Sequence, residues 1–249
     1  MAKPTPVTAE DPDLRSSGPS ATRRPVRGVG VLAGVVLVLA GLIMLAHVGW
    51  QYVGTDMVAH RTQAVLKQEI RERWQQPTVS DVLGPEAPLA RGSASALIRI
   101  PRFGPDYEMP LIEGVRDADL EQGVGHFAGA GPGQIGNFAL AAYQVTHGQP
   151  FRDLPQLRPG DRIIVETSTA TYTYEVDTDP VDLEVPFTAT WVIDPVPQPP
   201  AGEGPAGMPT SEAADAPTRA LITLTTSAEL FHTDERMVAF GHLATTTPK

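Results

Sequence analysis

Nucleophilic chemistry needs a side chain that can attack and a neighbour that can move its proton, and this 249-residue chain offers few such pairs. It contains no cysteine, which removes thiolate nucleophiles, disulfides and thiolate metal sites together. Ser227 with His147 and one of several aspartates would compose a Ser-His-Asp set, but no G-x-S-x-G elbow exists to expose that serine. Taken alone, Ser227 reads as a strand residue. Histidines stand at 47, 60, 126, 147, 232 and 242, and no two have the H-x-x-x-H spacing that presents a metal from one helix face. Neither a metal site nor a cofactor is expected. Gly131, Gly133 and Gly136 satisfy G-x-G-x-x-G, but Pro132 interrupts them and residues 137–143 read as a strand where a dinucleotide site requires a helix. A glycine-rich loop entering a strand is the plainer reading.

The elements that must position these residues follow from composition. Proline is 25 of 249 residues, about twice ordinary usage, so turns abound. The formal charge of -10 repels phosphate backbones, which excludes nucleic acid as a partner. Residues 1–25 are rich in Pro, Ser, Thr and charge and read as a disordered cytoplasmic tail. Arg23, Arg24 and Arg27 flank an apolar segment over 26–50 that is long enough to span a bilayer. It exceeds a signal peptide's apolar core, and no A-x-A-like cleavage site follows it closely. Basic residues on its N-terminal side put the N-terminus in the cytoplasm and the C-terminal part outside, with Trp50 and Tyr52 at the far interface. A helical stalk and a Pro/Gly-bearing linker occupy 51–93, and a domain follows over 94–249.

Within that domain, β-type runs at 96–100, 137–144, 162–166, 171–177, 221–226 and 236–243 alternate with turn signals. In one run Tyr172, Tyr174 and Val176 share a face, and Thr171, Thr173 and Glu175 the other, as a strand with one wet side requires. The spacing suits either a barrel or a sandwich. Residues 194–217, crowded with Pro, Gly, Ala and acidic residues, read as a long mobile loop between two strands.

Taken in order, these runs resemble the sortase family over most of 94–243. Ile98-Arg99-Ile100-Pro101 resembles the family's opening strand, and Met109-Pro110-Leu111-Ile112-Glu113-Gly114-Val115 its P-V-x-E-G-V stretch. Gly123-Val124-Gly125-His126 is similar to G-V-G-H, and Pro132-Gly133 with Gly136-Asn137-Phe138 to the P-G-x-x-G-N approach to the catalytic strand. Thr146-His147-Gly148 and Leu157-Arg158-Pro159-Gly160-Asp161 resemble segments of class E sortases from high-GC Gram-positive bacteria. Leu224-Thr225-Thr226-Ser227 looks like L-T-T-C, and Arg236 follows nine residues later, at the family's arginine.

The resemblance implies an all-β fold, a closed barrel of about eight strands held outside the membrane by one transmembrane helix. It implies a transpeptidase cutting LPXTG or LAXTG sorting signals, in which a cysteine attacks, a histidine protonates the leaving amine and an arginine stabilises the oxyanion. The corresponding positions here are Ser227, Tyr143 and Arg236, so only the arginine matches; Thr226 and His147 fall where substrate would be held. A serine hydroxyl needs an adjacent base, and a phenol with a reference pKa of about 10 is a poor one at neutral pH. The expectation is a degenerate sortase that binds a sorting-signal-like peptide or a cell-wall-linked protein. Two alternatives stay open: an acyl transferase or hydrolase using Ser227, with His147 or His126 as base, and a ligand-free partner of another sortase.

Overall fold

The structure, a computed structural model, describes residues 27–50, 54–75, 90–199, 216–227 and 234–249. The expected N-terminal tail, most of the expected linker and the centre of the expected 194–217 loop lie outside them. The chain forms two units, divided between Leu45 and Ala46. Helix α1 (Arg27–Gly49) supplies the described part of the first through its residues up to Leu45. Its stretch Gly30–Gly49 is the one helix among the described residues long and apolar enough to cross a membrane. Twenty residues at 1.5 Å each reach about 30 Å, the thickness of a bilayer's hydrocarbon core.

The second unit is a closed β-barrel. Its strands are β1 (Ala94–Arg99), β2 (Met109–Glu113), β3 (Val124–His126), β4 (Gly136–Tyr143), β5 (Arg162–Glu166), β6 (Ala170–Val176), β7 (Glu184–Pro186), β8 (Ala220–Ser227) and β9 (Glu235–Pro248). The sheet order is β6-β5-β1-β2-β3-β4-β8-β9, and β6 pairs with β9 to close a ring of eight. Closure leaves the ring without a free edge to template aggregation. β7 adds to β9 beyond the ring. The β2–β3 and β4–β8 pairs are parallel. The six strand runs read from sequence coincide with β1, β4, β5, β6, β8 and β9, and Thr167 and Ala170 close the β5–β6 hairpin through their backbones.

Strand alternation decides which side chains fill the barrel. Phe138, Leu140 and Ala142 of β4, Ile222 and Leu224 of β8 and Ala239 of β9 join Ile98, Leu111, Ile163 and Tyr174 in its interior. The intervening residues face outward, yet several are also buried, because residues 178–194 fold back over β9. There Leu183, Val185 and Val192 pack on Val238 and Phe240 as a second, smaller apolar cluster. Asn137 fastens this cover: its Nδ2 donates to the carbonyls of Val192 and Asp194, each at 3.0 Å, and its Oδ1 accepts from Thr223 Oγ1 at 2.7 Å.

The glycine-rich stretch is a loop, as its proline suggested. Gly133 has φ of +76°, its N–H donates to the Tyr174 hydroxyl at 2.7 Å, and a Cβ there would overlap the Tyr172 ring. The helical stretch expected after the apolar segment is α2 (Thr55–Gln75). It lies along the barrel. Ile70, only 1% exposed, packs on Ala94, Leu97 and Ile112. Arg71 grips the Glu108 carboxylate with two bonds of 2.6 and 2.8 Å, and Lys67 donates to the Glu108 carbonyl at 3.2 Å.

Candidate functional site

β4, β8 and β9 are neighbours in the ring, so their ends meet. Parallel pairing carries the β4–β8 register from Gly136↔Ala220 to Tyr143↔Ser227. Positions 143 and 227 therefore stand about 4.8 Å apart across the sheet. The antiparallel β8–β9 register runs from Leu221↔His242 to Thr225↔Val238, and Arg236 lies on β9 two residues beyond the end of that ladder. Tyr143 follows the outward series Asn137, Ala139 and Ala141, and Arg236 the outward series Phe240 and Val238. Tyr143 and Arg236 thus share one face, and all three sequence-predicted positions lie at the ends of three adjacent strands.

Arg236 is buried, with 7% of its surface exposed. Its Nη2 donates to the Ala189 carbonyl at 2.7 Å, and its guanidinium carbon sits 5.2 Å above the Phe187 ring. Both contacts come from the segment that follows β7, so the covering chain holds the guanidinium in place. Its Nε is buried with no hydrogen-bond partner, and no ion pair to Arg236 occurs among the described residues. Burial lowers its pKa from the ordinary value, but a guanidinium remains a cation in proteins.

Tyr143 is half-buried. Burial pushes its phenol up, and the carboxylates of Asp117 and Glu121 push it further. Asp117 opens the short helix α3 (Asp117–Leu120), with Glu121 as its C-cap. Tyr143 is thus a neutral hydrogen-bonding group at physiological pH and not a base. The His147 ring lies 4.6 Å from the Tyr143 ring, tilted by 31°. The His147 Nδ1 is 3.0 Å from Thr146 Oγ1, and its Nε2 is 3.7 Å from Glu121. Thr226 is buried on the inward series with Ile222 and Leu224, and its Oγ1 accepts from the Met237 N–H at 3.2 Å. It ties the end of β8 to β9 beside Arg236.

His126, the other candidate base, stands elsewhere. It pairs in register with Leu140, its ring lies 4.9 Å from the core residue Phe138, and its two nitrogens meet Glu113 at 2.9 Å and the Ala130 carbonyl at 3.0 Å. Among the described residues no group of histidines and carboxylates is arranged to hold a metal. Sequence reasoning missed Phe187, Ala189, Asp117 and Glu121. The first two act through a ring face and a backbone carbonyl in a segment without periodicity, which leaves no signal to read.

Chemically, this face offers a buried cation with an unused donor, a neutral phenol and an imidazole beside it. Such a set can grip a peptide carbonyl or carboxylate, since guanidinium bonds to oxygen are charge-assisted and can be bidentate.

Comparison with known proteins agrees with the geometry. A family model described as Sortase domain matches residues 98–244. Sortase SrtE1 of Streptomyces coelicolor is 30% identical over 241 residues, which cover 91% of this chain but only 61% of that relative. The chain thus spans less than two thirds of that relative's length. Sortase SrtE2 of the same organism is 26% identical over 250 residues, covering 95% of this chain and 92% of the relative. Among solved structures, sortase E from Streptomyces avermitilis superposes with a TM-score of 0.53 at 34% identity, over 64% of this chain and 93% of that one. The SrtF sortase from Corynebacterium diphtheriae gives 0.53 at 28% identity, over 67% and 93%.

Proposed function

The chain belongs to the sortase family and is class E-like, and from that premise we propose that it is a membrane-anchored extracytoplasmic homologue whose site holds a peptide without cutting it. The observation that carries this reading is a cysteine count of zero, with Ser227 and Tyr143 in register at the strand ends where the family's cysteine and histidine are expected. A serine hydroxyl attacks only when a base removes its proton, and the neutral, pKa-raised phenol of Tyr143 cannot do so. Loss of one member of a catalytic set typically costs several orders of magnitude in rate, and the members fail together. Arg236 remains able to hold a peptide carbonyl or carboxylate. The apolar helix α1 supports anchoring, with the barrel on the outer side by the positive-inside rule.

The test is a turnover assay on the full-length protein in detergent micelles, using LPXTG and LAXTG peptides with a glycine amine as acceptor. Neither cleavage nor transpeptidation is expected, while the peptides bind and Arg236→Ala weakens them. Robust turnover would overturn the proposal.

One observation favours the alternative of a working serine enzyme. The His147 ring lies against Tyr143, which is the backbone register partner of Ser227, so an imidazole belongs to the strand end next to position 227. That reading requires an acylating probe to label Ser227, with labelling lost in Ser227→Ala. Equal labelling of both proteins removes it.

A further inference from the structure

The loop beyond β4 has an unusual backbone. His147, Gly148 and Gln149 have φ of +54°, +78° and +51°, three successive residues in the left-handed region. Glycine adopts it freely, but His and Gln do so only where surrounding contacts over-determine the conformation. Those contacts come from α2. Asp56, in its first turn, accepts from the Gly148 N–H at 2.9 Å and from Gln149 Nε2 at 2.7 Å. Gln63, two turns on and only 2% exposed, donates its Nε2 to the His147 carbonyl at 3.2 Å. Its amide fills the space where a Cβ on Gly148 would stand, 2.9 Å away. Asp56, Ala59, Gln63 and Ile70 lie on one helical face, spaced by three, four and seven residues. The face that seats the helix on the barrel therefore also grips the loop.

Among the described residues, the His147 side chain has few other partners. The Thr146 hydroxyl is its sequence neighbour, and the 3.7 Å approach to Glu121 is made to a carboxylate half exposed to water. Its place against the Tyr143 ring follows from the backbone that α2 fixes.

We infer that Asp56 and Gln63 are positioning residues for the candidate site: acting through the backbone of residues 147–149, they set the His147 ring on Tyr143. The loop that carries His147 is thus held by the helix that follows the apolar segment, and helix docking and the placing of His147 form one equilibrium. The inference rests on the reading of Tyr143 and Ser227 as the floor of a peptide site.

The test uses the full-length protein in detergent micelles with ¹³C-labelled histidine. The His147 ring signal is assigned by its loss in His147→Gln, and its ring-current offset by its movement in Tyr143→Leu. In Asp56→Ala the His147 signal moves in the same direction as in Tyr143→Leu. The signals of His126 and His242, held by Glu113 and Asp177, stay in place. Asp56→Asn, which keeps one oxygen for the Gly148 N–H, gives a smaller movement. Affinity for a Leu-Ala-Glu-Thr-Gly peptide falls on the order of tenfold in Asp56→Ala, the worth of about one hydrogen bond.

A His147 signal that stays in place in folded Asp56→Ala overturns the inference. If that variant also loses the His126 and His242 signals, Gln63→Met decides by the same readout, with the same direction of movement required. A His147 signal that moves without any change in peptide affinity upholds the positioning role and sinks the peptide-site reading instead.

Discussion

Replacing Arg236 with methionine separates a binding residue from a structural one. The change keeps the unbranched apolar stem but deletes the charge. It removes a charge-assisted bond to the Ala189 carbonyl, worth about 1.5–3 kcal/mol. It also removes the stacking on half-exposed Phe187, worth about 0.5–1 kcal/mol. Against these losses, it abolishes a buried Nε–H that has no partner, which costs about 1–3 kcal/mol in the native protein. The sign of the charge effect is the same. Because burial lowers the Arg236 pKa, the native state holds that proton less tightly than the unfolded chain does. The charged form therefore lowers stability throughout the range below the folded pKa, neutral pH included, and methionine has no such penalty. The opposing contributions leave a net change of about 1 kcal/mol, or a Tm shift of about 2–4 °C for a unit of this size. Peptide affinity behaves differently. A lost guanidinium–carbonyl bond of about 1.5–3 kcal/mol weakens binding by about 10- to 150-fold. Fluorescence anisotropy with a labelled Leu-Ala-Glu-Thr-Gly peptide and calorimetric unfolding of the same samples read both quantities. A fall in Tm of more than about 10 °C with unchanged affinity would refute the reasoning and make Arg236 a strut.

Three further outcomes follow from the geometry. If the proposed assignment of positions 227 and 143 holds, the double variant Ser227→Cys with Tyr143→His yields measurable cleavage of an LAXTG peptide, while neither single change does; a double variant without cleavage would mean that the two positions do not act together on a peptide. Asn137→Ala strands the carbonyls of Val192 and Asp194 and the Thr223 hydroxyl, costs about 2–4 kcal/mol, and raises protease sensitivity at 190–194, read by denaturation and limited proteolysis. Hydrogen bonds from the Arg116 side chain hold the Asp119 carboxyl below its usual pKa, so the stability it adds is fully present above about pH 4 and is lost as pH falls through the lower folded value. The Tm gap between the parent and Asp119→Asn therefore closes in acid; a constant gap down to pH 2 contradicts the pairing.

Much of the barrel was legible because six of its strands are runs of alternating or continuous apolar residues long enough to show a period. β2, β3 and β7 were not, for physical reasons. They have five, three and three residues, and they carry Pro110, Gly125 and Pro186, so no period can be counted. The seating of α2 was hidden too. Its buried face includes Gln63, a polar residue whose partner is a backbone carbonyl 84 residues away, and hydropathy cannot register such a bond. Tyr143, Ser227 and Arg236 could be singled out as candidates because they sit within the motifs of the resemblance, and the structure puts them at strand ends. The grip on Arg236 could not, because Ala189 contributes only a carbonyl and Phe187 only a ring face. The outward burial of Asn137 and Thr223 likewise depends on a covering segment with no periodic signal of its own.

Intact-mass spectrometry of the full-length protein after incubation with a saturating LAXTG peptide is the most direct measurement of whether this site can still react. The account predicts an unchanged protein mass and an intact peptide at every time point. An added acyl mass that maps to the tryptic fragment containing Ser227 would contradict it.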